Sequence, residues 1–424
     1  NNSANIRRSV PPNSSIDDPT SSARHLIDGS LATTMFMDGD KTINDEGKAG
    51  AFSAAERDDL ATYLLSVPFP PAQRRAYTNK LSKRAEEGFK MFHIVGDAGG
   101  TPGGNLCGNC HRMPFSVSTN TPGTGMEAPT WRGAYDRFLI LPQGRLNIVE
   151  FPFYKNVAEA GNDERSIWRF TWGGRQSFDS VWDMVLEGST GFSGSFARQV
   201  TLNTSSVKAE LTADLLQALE VAATEGGIVL EGEGVFIEQG ESKPIELQFD
   251  PEFRGGAYVS KARSREAFTR EQLVKLAASG EFVGTFTGRH GENADVDSPQ
   301  PAIWTLGSIH EQRGRQEFPI VHEDNKSMSL SGRNFDDYAS IYVDGRRVSG
   351  TITVTEDEQE QVVIELDTLP ASGMHMLQVQ AENGMFSNDF IFHVAESAKA
   401  AATLKFQLEE VSVEGRDALP KAIE

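Results

Sequence analysis

Hydrophobic residues follow two different spacings, one in each half of the chain. Up to about residue 225, apolar residues recur every three or four positions within the segments that lack Gly and Pro. From Ile228 onward, they instead alternate with polar residues in short runs. The first period is typical of amphipathic helices and the second of half-buried strands. The chain is therefore predicted to be helical in its first half and β-rich in its second.

The helical pattern predicts four helices before residue 225 and one after it. They cover 53–66, 81–93, 177–187, 212–224 and 269–278. Ser53 and Glu56 have the spacing of a capping box, which marks the start of the first helix. Gly88 lies inside the second helix, where glycine costs roughly 1 kcal/mol. We therefore expect another helix to cross closely at Gly88.

The alternating pattern predicts two β-rich regions. Strands at 228–237, 245–249, 282–287 and 302–306 define a module of unassigned type. From Ser327, six more short runs follow at the regular spacing of a small sandwich. We expect a last strand from Ala400 to Val413, followed by a tail. Residues 1–30 are rich in Asn, Ser and Pro, and we expect them to be extended or loose.

The strongest chemical motif is Cys107-Gly108-Asn109-Cys110-His111. Cys-x-x-Cys-His is the pattern of covalent c-type haem attachment. On a helical turn Cys107, Cys110 and His111 share one face, so two thiols can bond the porphyrin vinyl groups while the imidazole binds the iron. These are the only two cysteines in the chain.

Other uses of two cysteines explain the motif less well. A structural zinc site needs four ligands, and the chain has no second Cys pair. A thioredoxin-type dithiol would lie in a βαβ pattern, which is absent here. A small disulfide loop is a third alternative. We predict one haem c per chain, held by Cys107 and Cys110, with His111 as an axial ligand of the iron.

Several stretches resemble the haem domains of the bacterial dihaem cytochrome c peroxidase superfamily. The resemblance covers 81–225 and rests on Ala85-x-x-Gly88-x-x-Met91-Phe92, the Cys-x-x-Cys-His motif, Pro129-Thr130-Trp131-Arg132, Gly174-Arg175 with Ser177-Phe178, and Leu211-Thr212-x-x-Leu215. The resemblance implies a Pro-Thr-x-Arg loop packed on the haem and a methionine ligand on the helix after Gly-Arg. The chain departs from the family at Trp172-Gly173-Gly174, where the family has His-Asp-Gly, and it carries one haem motif where the peroxidases need two.

The sixth ligand of the iron would decide the chemistry. The resemblance implies Met184, and a thioether ligand raises the potential and closes the iron to peroxide. Met126 is the rival, because it precedes the Pro-Thr-x-Arg loop. A histidine such as His93 would lower the potential instead, and plain core packing is the alternative role for Met184. Further pocket candidates are Trp131, Arg132 and Arg175 for the propionates, and Phe92 and Trp182 for the apolar wall.

Residues 327–394 resemble an IPT/TIG immunoglobulin-like domain. The matching stretches are Leu330-Ser331-Gly332-x-Asn334-Phe335, Ile341-Tyr342-Val343-Asp344-Gly345, Leu369-Pro370, Leu377-x-Val379 and Asn383-Gly384-x-x-Ser387-Asn388. Such domains are usually spacers or contact modules of surface proteins. The resemblance therefore implies that this part places or assembles the chain, and a homo-oligomer or larger assembly through the β modules is one expectation.

Charge and composition limit the classes of partner that we expect. The net charge of −20 argues against nucleic acid and anionic membranes and favours a basic redox partner protein. No run of 18 apolar residues exists, so no transmembrane segment is predicted. The first residue is Asn, from which we expect a processed or truncated chain in the periplasm or at the cell surface. Four acids within 38–47 make Ca²⁺ conceivable there, although the EF-hand spacing fails.

These patterns together predict a multidomain protein. Its first part is an extended N-terminal segment with one helix (1–72), of which 36–66 resembles the end of a preceding cytochrome-like domain without its haem motif. The other parts are an all-α cytochrome c-like domain (73–225), a β-rich module (226–318), an immunoglobulin-like sandwich (319–396) and a C-terminal strand and tail (397–424). We expect an extracytoplasmic monohaem c-type cytochrome that carries single electrons and is not an enzyme. The alternatives are a peroxidase or oxygenase-like protein with an open iron, and a structural surface or filament protein with a haem domain.

Overall fold

The computed structural model of the protein describes residues 19–33, 52–95, 107–109, 111, 114–115, 130–136, 175–263, 266–290, 300–304, 318–355 and 361–405. About a third of the structure is helical, and three mostly antiparallel sheets form the remaining regular structure. The described helices are α1 (Pro19–Thr33), α2 (Ala54–Ser66), α3 (Lys83–Lys90), α4 (Arg175–Gly188), α5 (Glu210–Thr224), α6 (Arg270–Ser279) and α7 (398–405).

The sequence pattern located most of these helices. Ser53 and Glu56 form the expected capping box at the start of α2. The N-terminal helix α1 was missed, because 1–30 was predicted to be extended. Pro19 occupies its first position, where the ring's fixed φ angle suits a helix. Helix α1 is held against α2 by the ion pairs Arg24–Asp58 and Arg57–Asp28, which are tertiary contacts.

Helices α3 and α4 cross closely at Gly88, as the sequence predicts. A methyl group added to Gly88 would overlap the backbone oxygen of Ser180 and lie 2.8 Å from Met184 Cβ. After Lys90 the helix widens into a π-turn, Met91–Val95. The side chain and backbone N–H of Ser82, which caps α3, donate to the Glu187 carboxylate at the end of α4. The two helices are therefore fixed to each other at their ends as well as at their crossing.

A six-stranded antiparallel sheet follows, in the order β1-β6-β2-β3-β4-β5. Its strands are β1 (Gln199–Leu202), β2 (Val229–Glu238), β3 (Glu241–Asp250), β4 (Ala257–Ser260), β5 (Ala267–Phe268) and β6 (Phe282–Arg289). One face is covered by α5 and α6, whose Leu216, Leu219 and Leu273 are buried against it. The face is apolar because alternate strand residues such as Leu230, Leu247 and Phe286 point towards the helices.

The predicted all-α cytochrome c-like domain at 73–225 is wrong for the described residues. Strand β1 lies within that range and pairs with β6, and α5 packs on the same sheet. Of the described residues between 73 and β1, α3 with its π-turn and α4 remain as a helical pair. Sequence periodicity marked α5 as amphipathic, but it did not specify that a sheet would cover its apolar face.

The last strands form a sandwich of two sheets around one core. One sheet has the order β11-β10-β14-β15-β8 and the other β12-β13-β9-β7. The strands are β7 (Ala302–Trp304), β8 (Ile320–Val321), β9 (Ser327–Arg333), β10 (Ser340–Val343), β11 (Arg346–Val348), β12 (Gly350–Val354), β13 (Gln361–Leu366), β14 (Gly373–Gln380) and β15 (Phe390–Val394). This architecture is compatible with the predicted immunoglobulin-like fold, and the IPT/TIG resemblance remains a prediction.

The five-stranded sheet of the sandwich is buried on both faces at β14 and β15. Leu377 and Phe392 point into the sandwich core, whereas Met376 and Ile391 lie in the core of the α3–α4 pair. The sandwich thus supplies the missing cover of that pair. The tail begins with helix α7 rather than the strand expected from Ala400, and 406–413 lies outside the described residues.

A buried ion pair joins these parts. The Arg75 guanidinium donates to both carboxylate oxygens of Asp389 at 2.8 and 2.9 Å. It also donates to the carbonyl oxygens of Asn79 and Glu187 and to the side chain of Gln378. One side chain thereby connects the segment before α3, the end of α4 and the sandwich. Within the described part of the chain, no helix is both long and apolar enough to cross a membrane.

Candidate functional site

The described residues of the Cys-x-x-Cys-His motif, Cys107–Asn109 and His111, lie beside the π-turn of α3. Cys107–Asn109 is a short 3₁₀ helix, and the His111 backbone N–H donates to the Cys107 carbonyl at 2.9 Å. A methyl group on Gly108 would lie 2.6 Å from His93 Nδ1, so glycine permits this close approach. Cys107 and His111 are half-buried and one helical turn apart. Cys110 lies outside the described residues.

Aromatic side chains surround this turn. The ring centroid of Phe92 lies 6.1 Å from that of His111 and 6.1 Å from that of Trp131. Trp131 also meets Phe89 edge-on at 5.5 Å. The π-turn buries Phe92, His93 and Ile94 in succession, which a regular helix would not do on one face. Phe92, a predicted residue of the haem-pocket wall, therefore lies between His111 and Trp131.

The buried His93 is a residue whose position the sequence did not reveal. Its ring stacks on Phe89 at 5.9 Å and meets Phe92, Trp131 and Phe318 edge-on or nearly so. A single histidine on a helix is usually a surface residue. The only available signal was its spacing in the apolar stripe of α3.

Met184 is fully buried in the same hydrophobic cluster as Phe92 and Trp131. Trp182 packs against that cluster while remaining partly exposed. The Met184 Cβ lies close to Gly88, at the contact between α3 and α4. This position is compatible with both roles considered for Met184, an iron ligand and a core side chain. Arg175 begins α4, but its side chain is outside the described part of the structure, as is Met126.

Of the Pro-Thr-x-Arg stretch, the structure describes Thr130, Trp131 and Arg132, and all three are buried. The guanidinium carbon of Arg132 lies 4.3 Å from the centre of the Trp131 ring and 5.6 Å from that of Phe69. Burial lowers the pKa of Arg132 to about 9, partly opposed by Asp389, so the guanidinium is protonated at neutral pH. The Trp131 indole N–H is buried without a hydrogen-bond partner among the described residues.

The sandwich forms the floor beneath this cluster. Met376 and Ile391 are buried in it, and Met374 and Phe318 pack against it. His393 lies two residues beyond Ile391 on the same face of β15. Burial lowers the pKa of His393 to about 4, with a smaller contribution from Lys90, so the ring is neutral at pH 7. The candidate site is therefore shared between the helical pair and the sandwich.

The described residues fit a covalently attached haem. A thiol and an imidazole lie one turn apart at the edge of an apolar, aromatic-lined cluster that includes a methionine. The partnerless indole N–H of Trp131 is a donor that an acidic group such as a propionate could satisfy. Electron-transfer haems commonly have a thioether and an imidazole as iron ligands, and a dry aromatic pocket wall accompanies them.

Other metal sites find no support in the described residues. They contain no group of three or more His, Cys, Asp or Glu side chains arranged to hold a metal ion. The acidic segment 38–47, considered for Ca²⁺, lies outside them.

Comparison with known proteins adds no assignment. No family model matches the chain, and no curated protein matches it.

Proposed function

We propose that the protein is an extracytoplasmic monohaem c-type electron carrier. The observation that carries the proposal is the Cys107–His111 turn, pressed against an aromatic cluster that also holds Met184. Cys107 and Cys110 would hold the haem through thioether bonds, and His111 would be one axial ligand. When bound, the haem supplies a one-electron couple between Fe(III) and Fe(II).

The residues of the chain would set the properties of that couple. Met184 would be the second axial ligand, and its soft sulfur would favour the reduced state. Phe92, Trp131 and Trp182 would exclude water from one side of the ring. Trp131 would offer a neutral hydrogen-bond donor to a haem propionate, and Arg132 would offer a charged one. Arg175 remains a candidate for a second charged donor.

The negative charge of the chain would guide its redox partner. A net charge of −20 favours encounter with a basic protein, and salt would weaken that attraction. The rate of reduction by a basic partner should fall as ionic strength rises. Equal rates at low and high salt would show that the negative charge does not guide the redox partner.

The first test is haem attachment in cells that carry out cytochrome c maturation. The wild-type chain should keep its haem on a denaturing gel and give the spectrum of a haem with two thioether bonds. Cys107→Ala with Cys110→Ala should lose covalent haem. Failure of the wild-type chain to retain haem would overturn the proposal.

The second test separates the ligand role of Met184 from core packing. Met184→Leu nearly conserves volume and should erase the weak sulfur-to-iron band at the red edge of the oxidised spectrum. Met328→Leu, a buried methionine of the sandwich core, is the matched control and should leave the band intact. A persistent band in Met184→Leu would transfer the role to Met126. Prompt binding of cyanide or carbon monoxide to the wild type would argue for an open iron and against a closed electron carrier.

A further inference from the structure

A cavity away from the haem motif lies where three parts of the fold meet. Its volume is about 270 Å³. Thr78 comes from the segment before α3, Ser193 from the loop after α4, and Tyr342 and Arg346 from the β10–β11 hairpin. The fourth wall is one face of α5. At about 30 Å³ per water molecule, this space holds roughly nine waters, or a small organic ligand of similar bulk.

The floor of the cavity is apolar. Helix α5 buries Leu216 and Leu219 against the six-stranded sheet and turns Ala218, Val221 and Ala222 towards the cavity. These three side chains are only half-buried. They provide a strip of aliphatic surface about one helical turn long, which suits a short hydrocarbon stem.

The walls carry a net negative charge. Glu225 and Arg346 form an ion pair across one end at 2.7 Å, so their charges compensate each other. Asp214 lies towards the other end of the α5 face and makes no side-chain hydrogen bond or ion pair with any described residue. The lining therefore has one carboxylate without an ion-pair partner among the described residues, with Gln217 and Thr78 as neutral polar neighbours.

We propose that this cavity binds a small organic cation, an alkyl guanidinium or alkyl ammonium with a short stem. The cationic head pairs with Asp214, and a guanidinium can do so through two parallel hydrogen bonds. The stem lies on Ala218, Val221 and Ala222, where it removes apolar surface from water. Such a ligand lies along the α5 face of the cavity. This proposal does not depend on the haem.

The test is calorimetric titration of the full-length chain with butylguanidinium. The neutral butylurea, which has a similar shape, and the anion pentanoate are the comparison ligands. We expect butylguanidinium to bind with a Kd of about 1 mM or tighter, as befits a ligand of this size. It should also raise the melting temperature, because it binds only the folded chain. The two comparison ligands should bind at least threefold more weakly, because neither pairs a positive charge with Asp214.

Two variants and one control connect the binding to this cavity. Asp214→Asn should weaken binding of butylguanidinium about threefold to fivefold, since the ion pair of an exposed carboxylate contributes up to about 1 kcal/mol. Ala218→Leu should also weaken it, because the larger side chain fills the floor. Glu210→Gln changes an exposed carboxylate on the same helix outside the cavity and should leave the affinity unchanged.

The proposal is overturned if butylurea or pentanoate binds as well as butylguanidinium, or if Asp214→Asn binds like the wild type. It is equally overturned if the wild-type chain shows no binding. Circular dichroism of each variant checks that the chain is folded. Because Asp214 is exposed, its substitution should leave the unliganded melting temperature unchanged.

Discussion

Removing the negative charge of Asp389 should destabilise the whole assembly. Asp389→Asn keeps the shape of the side chain but leaves the Arg75 guanidinium buried without a counter-charge. The side chains of Arg75 and Asp389 are 2% and 1% exposed, so water cannot replace the lost partner. Breaking a buried ion pair on one side costs about 3–5 kcal/mol. Typical domains are stable by only about 5–15 kcal/mol, so this loss should be large.

Urea unfolding followed by circular dichroism measures the effect. The midpoint for Asp389→Asn should fall, and the single transition should broaden or divide, because Arg75 joins the helical pair to the sandwich. The double variant Arg75→Met with Asp389→Asn should recover part of the loss, since no charge is then left unpaired. The recovery stays incomplete because the carbonyl oxygens of Asn79 and Glu187 lose their donor.

The exposed pair Arg24–Asp58 is the matched control. Its carboxylate is 70% exposed, and such pairs contribute about 0–1 kcal/mol. Asp58→Asn should therefore change stability little. If Asp389→Asn lowers the free energy of unfolding no more than Asp58→Asn does, the buried ion pair does not couple the helical pair to the sandwich.

Three further substitutions test other parts of the fold. Burial alone would lower the pKa of His375, but hydrogen bonds from its two ring nitrogens to Asp344 and a backbone carbonyl raise it. This stabilisation is complete below the unfolded pKa and is lost as pH rises through the folded pKa, so His375→Gln should cost most below about pH 6.5. Gly88→Ala should cost about 1–3 kcal/mol by forcing α3 away from α4, as urea unfolding will show. Tyr258→Phe should cost about 1–3 kcal/mol, since the buried Glu220 carboxylate loses a hydrogen bond of 2.7 Å.

Each of these three has an outcome that contradicts it. The stability difference between the wild type and His375→Gln should fall as pH rises. If it stays constant from pH 5.5 to pH 8.5, or grows with pH, the protonated ring does not stabilise the fold. Glu87→Ala, exposed on the same helix as Gly88, and Tyr338→Phe, 78% exposed, should both be close to neutral. If either control costs as much as its buried counterpart, the assigned contact is not the cause.

Part of the candidate site followed from local sequence. The motif turn, the apolar stripe of α3 and the helical glycine that signals the crossing at Gly88 can each be recognised within a few neighbouring residues. The pocket candidates Phe92, Trp131, Trp182 and Met184 lie in or against one cluster. Helical periodicity marked the apolar sides of α3 and α4, whereas Trp131 and Met184 were implied by the family resemblance.

The floor of the site was not accessible in this way. Met376 reads as an ordinary strand residue. The continuous apolar run Phe390–Phe392 is typical of a strand buried on both faces, but it does not specify which segment covers the second face. The prediction of an all-α domain failed for the same reason. The amphipathic pattern of α5 is equally satisfied by a partner helix or by a sheet.

Local sequence located most of the helices and strands, and it contains the Cys-x-x-Cys-His motif. What covers each apolar face depends instead on contacts between distant segments. Strand β1 joins a sheet formed by residues up to 289, and Arg75 pairs with Asp389 across 314 positions. Hydrophobic periodicity records that a face must be buried, because burial is non-directional and depends on apolar area. It carries no information about which distant segment provides the cover.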